Sequence, residues 1–376
     1  MKSPFALKSR LRTVGTSLLL AFVSTYPAES SSRLVAWGDN QFGQTNVPVA
    51  LSNLVSVAAG GYHNLALTAN QRVVGWGRDD FGQATTFDGL TNVVAIAAGG
   101  YHSLALLSDG HVVFCGHIHH QATPMPDGLS NVVAISAGVF HSTVLTGDGR
   151  VFSWGYGPAA PNGLTNIVKV APSGWFAVGV SASGQSFGWG DDDDCGLTNT
   201  ASGLTNVVGL AAADDDALAL MRDGTVKSWG CNESGRMVVP DGLNHVVAVT
   251  AGRRHALALR NDGSAVGWGE DWQSVATVPN SFSNVVMVSA GWWHNVALIG
   301  DASTQAVGPL SARIIGDSLR VSLPTALGRT YLLESANSLR DPWTFLRLIA
   351  GDGTTQEFDD VIEIGSARFY RVRQVQ

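Results

Sequence analysis

The chain has 376 residues, 45% of them apolar and 14% charged, which excludes an intrinsically disordered protein because the apolar share is enough to bury a core. A formal net charge of −7 argues against nucleic acid as a partner, since phosphate binding calls for a basic surface. No apolar run reaches the ~20 residues of a membrane-spanning helix, so no membrane span is expected.

Residues 1–28 read as a secretory signal peptide. Lys2, Lys8, Arg10 and Arg12 form a basic start, Val14 to Val23 a short apolar core, and Ser24 to Ala28 supply small residues for cleavage. The segment carries four positive charges and no negative ones, so its removal takes the net charge from −7 to −11. The mature chain is expected to be secreted, periplasmic or at the cell surface.

Residues 29–300 write one unit seven times, most clearly from Asn92 to Gly116. An Ala-Gly-x-x-His landmark ends at His63, His102, His141, His255 and His294. Trp175 and Asp216 are read in the same register, giving steps of 39, 39, 34, 41, 39 and 39 residues. A Trp-Gly pair ends each unit, from Trp37-Gly38 to Trp268-Gly269, with Cys115-Gly116 in the third place. A fixed period near 40 means one supersecondary unit stacked on its own copies.

Each copy is predicted to hold four short strands. In the clearest one these are Val93 to Ala97, Ser103 to Leu107, His111 to Phe114 and Gln121 to Met125. Asp109-Gly110 joins the second to the third and suggests a type I′ turn, where both central residues take positive φ. Short strands with frequent turn signals argue for an all-β fold, and four-stranded units in a ring describe a seven-bladed β-propeller. The array starts mid-repeat at Arg33 to Gly38 and stops mid-repeat after Leu298. The N-terminal strand is therefore expected to complete the last blade and leave no open sheet edge.

These repeats resemble the regulator of chromosome condensation family, seven-bladed propellers with A-G-x-x-H-S-L-A-L and W-G-x-N-x-x-G-Q landmarks. His102-Ser103-Leu104-Ala105-Leu106 and Trp37-Gly38-Asp39-Asn40-Gln41-Phe42-Gly43-Gln44 carry the resemblance, which spans about residues 33–300. A Trp-Asp repeat propeller fits less well, since no copy ends in Trp-Asp. Nuclear members of the family exchange nucleotide on a small GTPase. That role is not carried over, given the signal peptide, the acidic balance and the short blades. Gly291-Trp292-Trp293-His294 is similar to a pattern in the family's plant ultraviolet-B photoreceptor, but in one blade only.

Residues 301–376 leave the period and predict strands at Ser318 to Leu323, Tyr331 to Ser335, Thr344 to Ala350 and Arg368 to Val372. Tyr331, Leu333, Glu334, Ser335, Leu339, Trp343 and Phe369-Tyr370-Arg371-Val372 make this tail similar to a small β-sandwich module at the C-termini of secreted bacterial proteins. The resemblance implies an accessory for surface display or adhesion.

The repeated histidines are read as fixing each blade's own turn, because equivalent positions spread around a ring do not converge on one ion. His117, His119 and His120 break the repeat and form either a metal site or a solvated loop. No catalytic triad or phosphate loop stands out. The chain is therefore read as non-catalytic, with a secreted polysaccharide lyase or hydrolase as the alternative. Of the three cysteines, Cys195 and Cys231 lie in corresponding loops and are candidates to pair in an oxidising compartment.

Strand polarity puts the x-x-His loops and the loops after Trp-Gly on one face. That face collects the acidic residues Asp39, Asp79, Asp80, Asp191, Asp192, Asp193, Asp194, Asp214, Asp215, Asp216, Glu233, Glu270 and Asp271. It also collects the aromatics Tyr62, Tyr101, Phe140, Trp175, Trp292 and Trp293. Asp191 to Asp194 and Asp214 to Asp216 fall in adjacent blades and suggest calcium or a basic partner, with the aromatics free to stack on a sugar or side chain. No other cofactor is expected. The anticipated partner is a protein or glycan, and the chain is expected to be a monomer.

Overall fold

The computed structural model describes residues 33–49, 51–85, 87, 89–117, 123–191, 195–231 and 238–300, and six strands beyond them. The expected signal peptide lies outside the described residues. The first strand, β1 (Arg33–Gly38), is followed by β2 (Leu54–Ala59), β3 (His63–Thr68) and β4 (Val73–Gly77). Next come β5 (Val93–Ala98), β6 (His102–Leu107), β7 (Val112–Gly116), β8 (Val132–Ala137), β9 (His141–Thr146) and β10 (Val151–Gly155). The fourth copy holds β11 (Ile167–Pro172), β12 (Phe176–Ser181) and β13 (Ser186–Gly190), then a short helix α1 (Leu197–Ala201). The array ends with β14 (Val207–Ala213), β15 (Asp216–Met221), β16 (Val226–Gly230), β17 (Val246–Ala251), β18 (His255–Arg260), β19 (Ala265–Gly269), β20 (Val285–Ala290) and β21 (His294–Ile299).

These strands form seven antiparallel three-stranded sheets, each made of consecutive strands except the last, which is ordered β1-β21-β20. The innermost strands are neighbours in the order β2, β5, β8, β11, β14, β17, β20 and back to β2, a ring of seven. In the mixed sheet Trp37 lies opposite Asn295 and Gly38 opposite His294, so residues from both ends of the array share one blade. The middle strands are almost wholly buried, with Leu65, Leu104, Leu257 and Leu298 at 0% exposure. Each blade sandwiches its middle strand between neighbours on both faces, which is why these strands read as continuous apolar runs.

Three sequence expectations are corrected. The described blades have three strands, not four: Gln121 and Ala122 lie outside the described residues, and Thr123 makes an isolated bridge to Gly155 of the following blade. The Asp-Gly turns are not type I′, because Gly110 has φ 83° while Asp109 is absent from the positive-φ residues. Leu107 accepts from Gly110 N–H at 2.9 Å and donates to His111 O at 2.8 Å, the pattern of a type I turn followed by a glycine bulge. Third, Phe176, not Trp175, holds the histidine register: Phe176 pairs with Gly190 as His63 pairs with Gly77. The true steps are 176 − 141 = 35 and 216 − 176 = 40. The linker from Gly155 to Leu164 spans 9 residues where Gly77 to Leu90 spans 13, and this deletion of four shortens the step from 39 to 35.

Among its described residues the tail has six strands: β22 (Ser311–Ile315), β23 (Ser318–Pro324), β24 (Thr330–Ala336), β25 (Thr344–Ala350), β26 (Thr355–Val361) and β27 (Phe369–Val375). They form two antiparallel sheets, β22-β23-β26 and β25-β24-β27. β22 and β26 were not anticipated from sequence, and Leu339 and Trp343 lie outside the described residues. No helix among the described residues is long and apolar enough to cross a membrane.

Candidate functional site

The repeated histidines join one blade to the next. His63 Nε2 bonds Ser103 Oγ at 2.8 Å, His102 Nε2 bonds Ser142 Oγ at 2.9 Å, and His255 Nε2 bonds Asn295 Oδ1 at 2.7 Å. The series continues through His294 Nε2 to Asn64 Oδ1 at 2.7 Å. Asn64 Nδ2 donates to the Gln44 carbonyl at 2.8 Å, Ser103 Oγ to that of Gln83 at 2.8 Å, and Asn295 Nδ2 to that of Val275 at 2.7 Å. With those donors committed, the partner oxygen is an acceptor, and the network assigns the imidazole proton to Nε2. The Ala-Gly glycine is needed for a related reason. A Cβ on Gly60 would come within 2.8 Å of His63 Nδ1 and 2.6 Å of the Gly99 carbonyl oxygen.

The same carbonyls hold the tryptophans. Trp76 Nε1 donates to Gln44 O at 3.0 Å, Trp37 Nε1 to Val275 O at 3.3 Å and Trp229 Nε1 to Leu197 O at 2.9 Å. The shortened linker before the fourth blade lacks this latch, and Trp189 Nε1 is buried without a partner. At that seam the residue in the register of Ser103 and Ser142 is Ala177, which offers His141 no side-chain acceptor, and the imidazole lies beside Gly157. Burial pushes His63 and His141 down to about 4, and His102 and His294 down to about 3. At neutral pH these are uncharged structural groups.

On one face the x-x-His loops meet the loops that follow Trp-Gly. Trp292 lies edge-on to Tyr62 at 5.3 Å and to Tyr101 at 5.2 Å, beside Gly61 and Gly100, which leave room for its ring. Phe42 packs on Tyr62 at 5.1 Å, Phe81 on Tyr101 at 6.2 Å, and Phe81 stacks on His117 at 4.9 Å. Arg78 sits over Phe42 at 4.8 Å and over Tyr101 at 5.5 Å. Arg253 lies over Trp292 at 5.6 Å and Trp293 at 5.8 Å, and Arg254 over Trp293 at 6.0 Å. Trp272 adds an edge contact to Trp293 at 5.4 Å. Guanidinium groups over ring faces gain from the negative face of the π-system, more so when partly desolvated.

Residues 54–83, 93–117, 132–158 and 246–271 match the family model described as the regulator of chromosome condensation (RCC1) repeat. The chain belongs to the regulator of chromosome condensation repeat family. No curated protein matches the sequence. Among solved structures, Prp20p from Saccharomyces cerevisiae is 18% identical with a TM-score of 0.61, over 75% of this chain and 96% of that one. Human WBSCR16 is 19% identical with a TM-score of 0.58, over 73% of this chain and 100% of its own. The ectodomain of the Arabidopsis thaliana receptor kinase ACR4 is 19% identical with a TM-score of 0.55, over 68% and 96%. At such identity the likeness concerns the fold.

Within these regulator of chromosome condensation repeats, the anticipated aromatic residues divide into two groups. Tyr62, Tyr101, Trp292 and Trp293 lie together around Arg253. Phe140 and Trp175 pair at 6.0 Å with Tyr156 alongside at 5.3 Å from Trp175. The anticipated acidic residues fall partly within the described chain. Asp192, Asp193, Asp194 and Glu233 lie outside the described residues. Asp191 is an exposed residue whose backbone N–H donates to Trp175 O at 3.1 Å. Asp214 Oδ2 is bound by Arg253 Nε at 2.8 Å, Asp215 O accepts from Cys231 N–H at 3.0 Å, and Asp216 is 3% exposed in the histidine register.

The other carboxylates on this face are also committed. Asp79 accepts from Ala84 N–H, Thr85 N–H and Thr85 Oγ1, and Asp271 accepts the same set from Ala276 and Thr277. Asp80 pairs with Arg78 and Glu270 with Arg254. Among the described residues, no group of three or more His, Cys, Asp or Glu is placed to hold a metal ion. His119 and His120 lie outside the described residues, and His117 stacks on Phe81. The arginines are what sequence reading missed. Arg253 and Arg254 fill the x-x places of Ala-Gly-x-x-His, and Arg78 directly follows Trp76-Gly77, so their register was the available signal. Cys195 and Cys231 form a disulfide with Cα atoms 4.9 Å apart.

Proposed function

We propose that this chain is a non-catalytic binding scaffold whose protein partner docks on the arginine and aromatic face around Trp292. The observation that carries this reading is the convergence of Arg78, Arg253 and Arg254 with Tyr62, Tyr101, Trp292, Trp293 and Trp272 on one side of the ring. Arginine, tryptophan and tyrosine are the residues over-represented in interface hot spots, because they combine large contact area with directed hydrogen-bond donors. Trp175, Phe81 and Trp272 are 43%, 45% and 46% exposed, high for large apolar side chains. The fold is compatible with protein binding: Prp20p is described by its binding to Gsp1p and histones. We further infer that the mature chain works outside the cytoplasm. The basic, then apolar start at residues 1–28 and the Cys195–Cys231 disulfide support that placement.

The test immobilises residues 29–376 and probes extracellular protein from the source organism beside a glycan array. A double variant, Trp272→Ala with Trp175→Ala, serves as the comparison because both side chains are exposed and their loss spares the core. A protein retained by the wild type and lost with the double variant, at unchanged melting temperature, is the expected result. Equal retention by both forms would sink the assignment of this face, and binding to glycans alone would replace the protein partner.

A further inference from the structure

The seven innermost strands surround an axial cavity of about 280 Å³. Its described wall contains a single charged side chain, Lys169 on β11, among alanines and aliphatic residues such as Ile96 and Ile135. The repeat does not call for a lysine there. The equivalent residues on the other inner strands are Ser56, Ala95, Ala134, Gly209, Ala248 and Met287. Lys169 is half-buried and lines the cavity. Burial alone pushes its ammonium down to about 8, and no carboxylate or hydrogen bond offsets that cost. The group therefore still carries most of its charge at neutral pH, with its donors unspent.

A second, independent feature lies on the adjacent strand. Hydroxyls on the inner strands accept a backbone N–H from the next blade: Thr250 Oγ1 from Ala290 at 3.1 Å and Ser289 Oγ from Ala59 at 3.0 Å. The same position on β8 is Ser136, and the residue it would serve is Pro172, which has no N–H to give. Ser136 lines the same cavity as Lys169 and is left out of the seam bonding. Thr250 and Ser289 use their hydroxyls as acceptors, so each retains an O–H to donate. The polar side chains facing this cavity are thus donors around one positive charge.

We propose that the axial cavity binds a small monocarboxylate, its charge held by Lys169 and its oxygens reached by wall hydroxyls, Ser136 first. A single ammonium matches a monoanion. The aliphatic wall suits a short apolar body. At roughly 30 Å³ per water, the volume corresponds to about nine waters, so the ligand is of benzoate or hexanoate size. This site is separate from the outer face and does not depend on it.

The experiment follows the thermal midpoint of residues 29–376 against acetate, butyrate, hexanoate and benzoate, each with sodium chloride at matched ionic strength. Lys169→Met is the comparison variant, chosen because Met287 already fills the equivalent position on β20. A saturable rise with butyrate or larger ligands in the wild type, absent in Lys169→Met, is expected. The Trp272→Ala and Trp175→Ala variant should keep the full rise. No rise in the wild type, an equal rise in Lys169→Met, or an equal effect of chloride would each overturn the site. If Lys169→Met fails to fold, Ser136→Ala should weaken the same response several-fold, and an unchanged response there overturns it too.

Discussion

His294 Nε2 donates to Asn64 Oδ1 at 2.7 Å across 230 residues of sequence, joining the last repeat to the first. Both side chains are fully buried. Asn64 in turn donates to Gln44 O, so one amide serves the last blade, the first blade and the linker between them. Asn64→Ala strands the buried His294 Nε2–H and takes from Gln44 O one of its two donors, leaving Trp76 Nε1. Leaving one such group unsatisfied costs about 1–3 kcal/mol, so the variant should lose at least that in urea unfolding at constant m-value. Asn64→Ser should recover much of it, because Ser103 and Ser142 do the same work in other blades. A loss under about 0.5 kcal/mol, the usual scatter of surface changes, would show that the bond carries no weight.

Acid should destabilise the ring early. His63, His102, His141 and His294 have folded-state values of about 3 to 4 because burial disfavours the charged ring. The unfolded chain takes up protons first as pH falls, so their stabilisation is complete above about pH 6.5 and drains away between there and the folded values. Each imidazole adds up to about 1.4 kcal/mol per pH unit to the slope in that window. The hairpin aspartates Asp109, Asp148, Asp223 and Asp262, held low by their turn hydrogen bonds, act only at lower pH. The denaturation midpoint should fall steeply from pH 6.5 to pH 5. A flat profile there would contradict the neutral, Nε2-protonated assignment.

Gly99→Ala should be far costlier than a surface glycine change. Its Cβ would strike the His102 ring and lie 2.5 Å from the Gly138 carbonyl oxygen, which is backbone and has little room to yield. Overpacking of this kind costs about 1–3 kcal/mol or more. Gly174→Ala is the matched control, since its nearest neighbour is Val139 Cγ2 at an ordinary 3.9 Å. Comparable melting of the two variants would refute the close-approach reading.

Reduction of Cys195–Cys231 should lower stability measurably. The bridge spans 36 residues, which the chain-entropy relation converts to about 4 kcal/mol. It joins the linker that supplies Leu197 O to Trp229 with the end of β16. Thiol reductant should therefore shift the wild-type melt downwards and leave a Cys195→Ser, Cys231→Ser double variant unmoved. An identical response of the two forms would place the effect elsewhere.

The sequence by itself determined the repeat count, the strand positions around His102 and Trp37, and the sharing of a blade by β1 and β21. Those features depend on local periodicity, turn residues and where a repeat is cut, all of which are written along the chain. It did not reveal that Phe176 replaces histidine, because a deletion of four linker residues shifts the count without marking which neighbour fills the register. Nor did it show that Arg253 binds Asp214 while covering Trp292, or that Asp79 and Asp271 are spent inside their own loops. A repeat spacing states which residues are equivalent, not which atoms touch across a seam. Lys169 is the clearest case: one basic residue in an apolar run becomes a lone charge in a channel only when seven strands close around it. Burial and partner choice are properties of the assembled ring, and tertiary packing decided them.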